Sequence, residues 1–200
     1  MAAHHKHIYG LVLAGGKSSR MGKDKSTIIY HNKPQMEVAF DLLAPICEKV
    51  FLSNRKDQAG ACQKFPQLHD DAEFAGRGPL SGILSAMKKY PDRAWFVMAC
   101  DLPFVNQKTI EHLLKNRDFQ KIATAYKSSH DGLPEPLCAI WEAGHYTRIA
   151  QLFKEGIHCP RKVLIRLSAH LLEPLDPRDL DNINDPNEYK EAAKLLGHKI

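Results

Sequence analysis

Short apolar runs alternate along this chain with segments in which apolar residues recur at helical spacing. Residues 8–14, 49–53 and 95–100 are apolar runs of strand length, which predict three buried strands. Two predicted helices separate them, and each begins with a proline, Pro34 and Pro79, a residue suited to the first helical position. Strand and helix therefore alternate through the first 120 residues.

The later part of the chain continues with shorter predicted elements. The stretch between the second strand and Gly78 has no clear periodicity and is predicted to be irregular. Residues 128–136, with Gly132 and two prolines, are the best candidate for a mobile loop. The remaining predicted elements are a helix around residues 110–114, strands at residues 122–126 and 137–141, a helix after Pro160, and a final helix with Asp185 as N-cap, Pro186 at its first position and Gly197 at its end.

Alternating strands and helices are typical of an α/β protein with a doubly wound sheet. We therefore predict a single-domain, Rossmann-like fold, in which a mostly parallel sheet is flanked by helices on both faces and the later strands include an antiparallel edge. The chain has 200 residues, enough for one domain at residues 8–200. Residues 1–7, with three histidines, are expected to be a flexible N-terminal tail.

Composition and charge exclude several classes of protein. No apolar run approaches the roughly 20 residues that span a bilayer, and the first apolar stretch ends in Gly-Gly instead of a small-residue cleavage site, so neither a membrane span nor a signal peptide is predicted. The formal net charge of +5 comes without a nucleic-acid-binding motif or an aromatic-rich basic stripe. Five cysteines without a Cys-x-x-Cys pair fit neither a disulfide framework nor a zinc site, which favours a reduced, cytoplasmic protein.

The segment after the first strand is suited to holding a polyphosphate. Glycines let backbone N–H groups approach an anion, and basic side chains add full charges. The spacing excludes a P-loop, because five residues separate Gly16 from Gly22 and Lys23 is followed by aspartate. It also excludes the Gly-x-Gly-x-x-Gly dinucleotide fingerprint, because two glycines are adjacent and the third is six residues further on. The cations of the segment are Lys17, Arg20, Lys23 and Lys25.

Residues that follow strands carry the other candidate chemistry, because ligands of open parallel sheets lie at the carboxyl ends of the strands. Asp101 directly follows the third strand. A carboxylate there, beside a triphosphate, is suited to Mg²⁺. The alternative is that this aspartate, which precedes Leu-Pro, only starts a turn. Asp70 and Asp71 form an acidic pair before Gly78, with a solvated loop as the alternative. Asparagine can recognise a ribose or hold a metal-bound water, and it is also a frequent turn residue. The asparagines in such positions are Asn54, Asn182 and Asn184.

Taken together, these motifs resemble the molybdenum cofactor guanylyltransferases, the MobA-like group of nucleotidyltransferases. The signature is the run Leu-Ala-Gly-Gly-x-Ser-x-Arg-Met-Gly-x-Asp-Lys at residues 13–25. The resemblance implies a nucleotide-diphospho-sugar transferase-like fold, with a nucleotide-binding half near residues 8–105 and an acceptor-binding half near residues 106–200. Further segments in the family's order are Ser-Asn-Arg at residues 53–55, Gly-Pro-Leu-Ser-Gly at residues 78–82, Cys-Asp-Leu-Pro at residues 100–103, Pro-Glu-Pro-Leu at residues 134–137 and Asn-Ile-Asn at residues 182–184.

Carried over by position, the resemblance implies a nucleotide site, a metal site and an acceptor site. Lys25, Arg20 and Asp101 would be the catalytic residues, and Asp71 is preferred over Asp70 by its spacing to the following Gly-Pro-Leu motif. The implied residues are Leu13, Ala14, Gly15 and Gly16 for the nucleotide through backbone contacts, Lys25 and Arg20 for its phosphates, Asn54 and Asp71 for nucleotide recognition, Asp101 for the nucleotide and Mg²⁺, and Asn182 and Asn184 for the acceptor.

The activity implied by the resemblance is transfer of GMP from GTP to the terminal phosphate of Mo-molybdopterin, with Mg²⁺ as cofactor and release of pyrophosphate. The run Ala-Gly-Gly, where related cytidylyltransferases tend to carry Ala-Ala-Gly, favours GTP over CTP. Two alternatives stay open: a nucleotidyltransferase for another phosphorylated acceptor, of the cytidylyl or sugar-phosphate type, and a non-catalytic nucleotide-binding module. Proteins that deliver or accept the cofactor are candidate partners, whereas nucleic acid and membranes are not expected.

Overall fold

The computed structural model describes residues 7–15, 29, 33–54, 63–183 and 186–196, and it arranges them around one mixed sheet. Seven strands and six helices lie in these ranges. The strands are β1 (Ile8–Leu13), β2 (Lys49–Ser53), β3 (Gln67–Leu68), β4 (Ala94–Ala99), β5 (Ala123–Lys127), β6 (Pro134–Trp141) and β7 (His170–Leu172). The helices are α1 (Gln35–Leu43), α2 (Pro79–Lys89), α3 (Gln107–Lys115), α4 (Tyr146–Lys154), α5 (Pro160–Arg166) and α6 (Pro186–Leu195).

The strands of the sheet run in the order β3-β2-β1-β4-β6-β5-β7. β1 pairs in parallel with β2 and β4, and the pairs β2–β3 and β5–β7 are parallel as well. β6 is antiparallel to both of its neighbours, β4 and β5. The predicted mostly parallel sheet is confirmed. The antiparallel strand, however, lies inside the sheet and not at its edge, because β6 folds back from β5 and pairs with β4 on its other side.

Alternating side chains of β1 divide the core into two layers. Ile8 and Val12 are buried on the face that packs against α1 and α3, whereas Tyr9 and Leu11 are buried on the face that packs against α2, α4 and α5. A register slip of one residue would move each side chain to the opposite face, so this alternation specifies the pairing. Burying each such side chain contributes about 1.5–3 kcal/mol.

Helix boundaries follow local signals in the sequence. α2 begins at Pro79, as predicted, and the preceding Gly78 has a φ of 85°, in the left-handed region that favours glycine. α6 begins at Pro186, as predicted, while its predicted N-cap Asp185 and terminal Gly197 lie outside the described residues. The longest helix of the described ranges, α2, has 11 residues, and no described helix combines the length and apolar character needed to cross a membrane.

Three elements have no counterpart in the sequence prediction, and one boundary differs from it. The unpredicted elements are β3, α4 and β7, of which the two strands have only two and three residues. The loop expected at residues 128–136 is a turn at residues 128–133, closed by a hydrogen bond from Ser128 N to Leu133 O at 2.8 Å. Pro134 and Pro136 belong to β6, where the strand pairs with β5 alone and no second neighbour requires their N–H groups.

The four described cysteines, Cys47, Cys100, Cys138 and Cys159, are free thiols. Cys138 is buried in β6, and burial raises the pKa of its thiol to about 12, so it is a core residue and not a nucleophile at neutral pH. Cys100 is buried directly after β4. Both therefore pack as small apolar residues, as the sequence predicts.

A buried ion pair joins the end of α3 to the end of β6. Arg117 donates from Nε to Oε1 of Glu142 at 2.6 Å and from Nη2 to Oε2 at 2.7 Å, and the side chains are 7% and 6% exposed. Such two-pronged contacts between guanidinium and carboxylate are strong and directional. Glu142 also donates its backbone N–H to Ile122 O at 2.8 Å, at the start of β5. The pair therefore holds α3, β5 and β6 in one arrangement.

We expect Glu142→Gln to lower the free energy of unfolding by about 3 kcal/mol, because the guanidinium of Arg117 stays buried without a charged partner. Urea unfolding followed by circular dichroism measures the change. The matched control is Asp41→Asn, which breaks an ion pair with Lys33 whose side chains are 56% and 57% exposed and should change stability little. Equal effects of the two variants would contradict a stabilising role of the buried pair.

Candidate functional site

Neighbouring parallel strands bring their carboxyl ends to one edge of the sheet. Leu13, the last residue of β1, is level with Ser53 of β2 and with Ala99 of β4. The pairing continues one step further, because Ala14 N donates to Ser53 O at 2.8 Å and Cys100 N donates to Leu13 O at 3.2 Å. The segments that follow β1, β2 and β4 therefore leave the sheet side by side, where ligands of open parallel sheets bind.

Most of the described candidate residues come together at this edge. Asn182 joins them from the far end of the chain, because the next residue, Ile183, donates its N–H to Asp101 O at 3.1 Å. Four candidates lie outside the described residues: Gly16, Arg20, Lys25 and Asn184. The candidates at the edge are Leu13, Ala14 and Gly15 after β1, Asn54 after β2, and Asp101 after β4.

α2 packs closely against the ends of β1 and β2. A Cβ on Gly82 would lie 2.6 Å from Oγ of Ser53 and 3.1 Å from Cδ2 of Leu13. Only glycine fits at this distance without a shift of the neighbouring side chains. The close approach places the start of α2, with Pro79 at its first position, beside the strand ends.

Asn54 is held in a fixed orientation by two residues around β3. Its Nδ2 donates to Oε1 of Gln67 at 2.9 Å, and its backbone carbonyl lies 3.1 Å from Nδ1 of His69, which therefore donates. The side chain is buried, and Oδ1 has no partner among the described residues. A buried acceptor without a donor is uncommon in proteins. The sequence does not predict this role of Gln67 or His69, because it depends on the pairing of the two-residue strand β3 with β2.

The acidic pair Asp70 and Asp71 divides into two different environments. Asp71 accepts the N–H of Glu73 at 3.0 Å and the ammonium of Lys88 at 2.9 Å, and the Glu73 N–H followed by Lys88 lowers the pKa of its carboxyl. Asp70 is half-buried, and burial raises the pKa of its carboxyl against the opposing effect of the Gly76 N–H. The carboxylate of Asp71 is thus engaged with α2, whereas that of Asp70 lies in a less polar setting.

The turn after Asp101 is anchored from α1. Nε2 of the buried Gln35 donates to Leu102 O at 3.4 Å, and its Oε1 has no partner among the described residues. Asn106 caps α3 by accepting the N–H groups of Lys108 and Thr109. The chain is therefore fixed on both sides of Asp101, by β4 before it and by these contacts after it.

Asp101 and Asn182 share a cleft of about 580 Å³, a volume ordinary for a small-molecule site. The other walls are the turn at residues 128–133, the start of β6 and the start of α5. The turn is joined to the segment before α6 by Ser129 Oγ, which donates to Pro177 O at 2.6 Å, and by Nε2 of His130, 3.0 Å from Asp181 Oδ1.

Arg161, at the start of α5, binds two carboxylates of the cleft wall. Its Nη1 donates to Oδ2 of Asp131 at 3.0 Å, and its Nη2 donates to Oε1 of Glu135 at 2.7 Å. The Leu133 N–H, Arg161 and Ser128 lower the pKa of the Asp131 carboxyl. This three-residue cluster joins the turn, β6 and α5.

Comparison with known proteins assigns the chain to a family. A family model described as the MobA-like NTP transferase domain matches residues 10–171, from β1 to β7. The chain belongs to the MobA-like NTP transferase family. The match includes the segments that follow β1, β2 and β4, and it ends before the residues around Asn182.

Individual relatives agree with this assignment. A molybdenum cofactor biosynthesis bifunctional protein of Synechocystis is 42% identical over 189 residues, which are 91% of this chain and 52% of that protein, so the chain spans about half of that relative. A molybdenum cofactor guanylyltransferase of Pseudomonas putida is 27% identical over 187 residues, 90% of this chain and 95% of that protein. The crystal structure of molybdopterin-guanine dinucleotide biosynthesis protein A from Archaeoglobus fulgidus has a TM-score of 0.75 at 21% identity, covering 94% and 98% of the two chains, and shows a shared fold.

The donor set of the MobA-like site fits a cation shared with a substrate. Asp101 offers a carboxylate and Asn182 an amide oxygen on the same cleft, and oxygen ligands suit Mg²⁺. Within the described ranges, no group of three or more His, Cys, Asp or Glu side chains is placed to hold a metal by itself. Mg²⁺ usually takes one or two carboxylates together with phosphate oxygens and water, so one aspartate is sufficient when a nucleotide is bound.

The opposite pKa shifts of Asp70 and Asp71 predict opposite pH dependences. The raised pKa of Asp70 means that folding favours its protonated form, so its contribution to stability is full at low pH and is lost as pH rises through the folded-state pKa. We expect Asp70→Asn to gain stability relative to the wild type as pH rises from about 3 to about 7. Urea unfolding at a series of pH values measures the difference.

Asp71→Asn provides the matched comparison with the opposite sign. Because its carboxyl pKa is lowered, Asp71 contributes stability above the unfolded-state pKa, and that contribution is lost as pH falls. The variant should therefore lose stability relative to the wild type as pH rises over the same interval. Parallel curves for the two variants would contradict the assignment of separate environments.

Proposed function

We propose that this chain transfers the GMP group of GTP to the terminal phosphate of Mo-molybdopterin and releases pyrophosphate. The observation that supports this most directly is the cleft shared by Asp101 and Asn182, which opens at the carboxyl end of β4, the neighbour of β1 in the sheet. A donor nucleotide at the strand ends and an acceptor in the cleft would meet at Asp101. Membership of the MobA-like family supports a nucleoside triphosphate as donor, and the name of the Pseudomonas putida relative, a molybdenum cofactor guanylyltransferase, supports guanine as its base.

The reaction joins two anions and needs little acid-base catalysis. An oxygen of the acceptor's terminal phosphate attacks the α-phosphorus of GTP, a new P–O bond forms, and the bond to the β-phosphate oxygen breaks so that pyrophosphate leaves with its electron pair. The attacking phosphate is already ionised at neutral pH, so no side chain has to remove a proton. The protein must instead neutralise charge and place the two phosphates in line.

The nucleotide is proposed to lie along the end of β1. Backbone groups of residues 13–16 would contact it, and Lys25 and Arg20 would bind its phosphates as full positive charges. Asn54 would contact the base or the ribose, which is supported by its buried Oδ1 without a partner among the described residues. Asp71 is the proposed second contact, with Asp70 as the alternative because the Asp71 carboxylate is paired with Lys88.

Mg²⁺ is the proposed cofactor, with Asp101 as its protein ligand. When bound, the cation withdraws charge from the phosphates as a Lewis acid. Asp101 is suited to this position because its main chain is fixed by β4 and by the N–H of Ile183. Asn182, which lines the same cleft, and Asn184 are proposed to orient the acceptor phosphate.

The two halves of the chain are proposed to divide the substrates between them. Residues 8–105 would bind the nucleotide, and residues 106–200, which supply most of the cleft wall, would bind the acceptor. Free cysteines in and beside the sheet support a reducing, cytoplasmic setting. Proteins that deliver or accept the cofactor are proposed partners, since reduced molybdopterin is chemically labile.

Pyrophosphate release tests the proposed activity. The protein is incubated with Mg²⁺, reduced Mo-molybdopterin and each of GTP, CTP, ATP and UTP, and we expect release with GTP to exceed release with the other nucleotides by about tenfold or more, because a base-reading site discriminates by hydrogen bonds. Omission of the acceptor is the control. Preference for CTP, or turnover only with a sugar phosphate as acceptor, would contradict the proposal and favour another nucleotidyltransferase activity, of the cytidylyl or sugar-phosphate type.

Asp101→Asn tests the role of the carboxylate. The amide keeps the size of the side chain but removes the charge that holds a cation among phosphates, so we expect turnover to fall about a hundredfold or more. Thermal unfolding should be unchanged. The control is Asp176→Asn, which removes a half-exposed surface carboxylate paired with Arg178 and should leave turnover intact. Near-normal turnover of Asp101→Asn in Mg²⁺ would show that the cation is held elsewhere.

A further inference from the structure

The wall of the cleft is acidic, although both proposed substrates carry phosphates. Among the described residues of the wall, four carboxylates face one guanidinium. A phosphate is repelled by such a wall, whereas N–H donors are attracted to it. The carboxylates are those of Asp101, Asp131, Glu135 and Asp181, and the guanidinium is that of Arg161.

The acceptor must place its phosphate at one point and the remainder of its structure elsewhere. For the transfer proposed above, the phosphate has to reach Asp101, where the nucleotide would be bound. The rest of the acceptor then fills the cleft against the acidic wall. A part that carries several N–H donors is matched to this wall, and the 2-amino-4-oxopyrimidine edge of a pterin presents two such donors side by side.

Glu135 differs from the other carboxylate bound by Arg161. Its Oε1 accepts from Arg161 at 2.7 Å, and its Oε2 has no partner among the described residues. Both oxygens of Asp131 are occupied, because Oδ1 accepts the N–H of Leu133 at 3.0 Å and Oδ2 accepts from Arg161 at 3.0 Å. Glu135 is therefore the member of the cluster with an oxygen available to a ligand.

The strand around Glu135 keeps this carboxylate at the cleft. Pro134 and Pro136 flank it, and neither has an N–H to donate to another strand. The β4–β6 ladder ends at Met98 and Cys138, so the start of β6 pairs with β5 alone. The Glu135 side chain is 22% exposed and lines the cleft. Its backbone is thus fixed on one side while its other side faces the cleft.

We propose that Glu135 determines acceptor specificity by binding the pterin ring. Its carboxylate accepts hydrogen bonds from the 2-amino group and the adjacent ring N–H, and Arg161 positions the carboxylate for that contact. The inference rests on the proposed function, and it names the part of the acceptor that this wall recognises.

Ring binding is tested with two uncharged probes that differ at one group. They are 6-hydroxymethylpterin and 6-hydroxymethyllumazine, in which a carbonyl oxygen replaces the 2-amino group. Fluorescence titration of the whole chain should give a dissociation constant about tenfold or more lower for the pterin, the effect of one charge-assisted hydrogen bond. Glu135→Gln should abolish the preference, because Arg161 keeps the single amide oxygen and the NH₂ group that faces the ligand can only donate. Asp131→Asn, which loosens the same arginine, should keep it.

Kinetics provide the second measurement. Glu135→Gln should raise the KM for Mo-molybdopterin about tenfold or more and leave the KM for GTP unchanged. A higher KM for GTP with an unchanged KM for the acceptor would overturn the inference, because Glu135 would then bind guanine. Equal loss of ring preference in the two variants would overturn it as well, since the cluster would then act only as a structural joint.

The failure of this inference is distinguishable from the failure of the proposed function. GMP transfer by the wild type without any preference for the pterin over the lumazine overturns the role of Glu135 and leaves the activity standing. A preference that depends on Glu135, measured by binding alone, supports the role of Glu135 even in a preparation that does not transfer GMP.

Discussion

The parallel pairing of β1 with β2 and β4 is the constraint on which the site depends. Its register sets Leu13 level with Ser53 and Ala99, so three chain segments leave the sheet in one row. A shift of two residues would keep every side chain on its own face of the sheet and still move one segment by about 6.6 Å along the strand. That distance exceeds the reach of a hydrogen bond. The apolar alternation of β1 excludes shifts of one residue. Shifts of two residues are opposed at Gly10, where a Cβ would lie 3.1 Å from Val50 and 3.2 Å from Leu43.

The reversed direction of β6 determines where the cleft opens. Because β4 and β6 are antiparallel, the end of β4 lies beside the start of β6. Met98 pairs with Cys138, and if that register is continued for three residues, Glu135 comes level with Asp101. The ladder stops before that point, at the segment with two prolines. The cleft therefore opens between the strands beside Asp101, which follows β4, and α5 with Arg161 forms its far wall. A parallel strand in this position would have delivered its carboxyl end instead, with a loop in place of the fixed Pro-Glu-Pro segment.

Elements that depend on neighbouring residues are predictable from the sequence, whereas those that depend on partners distant in the chain are not. β1, β4 and α2 are specified locally, by apolar runs and by Pro79, and they lie within a residue or two of their predicted bounds. The interior position of β6 and the short strands β3 and β7 depend on pairing partners distant in sequence, which no local pattern encodes. The same distinction holds in the site. Asp101 is recognisable as the residue after a buried strand, whereas the partners of Asn54 and the cluster around Arg161 exist only once the sheet has formed.

In the proposed site, opposite charges near the two substrates offer a physical reason for keeping the substrates apart. The sequence has four cations within residues 17–25, and the described wall of the cleft has an excess of carboxylates. In that arrangement a nucleoside triphosphate would be attracted to the cations and repelled by the carboxylates, so its polyphosphate would be directed away from the cleft. The acceptor carries its charge at one end and N–H donors at the other, and it gains from both regions only in the orientation that presents its phosphate to the nucleotide. Repulsion of the wrong arrangement contributes to specificity as much as attraction of the right one. Three carboxylates of the wall, those of Asp131, Glu135 and Asp181, would supply that repulsion without taking part in the transfer itself.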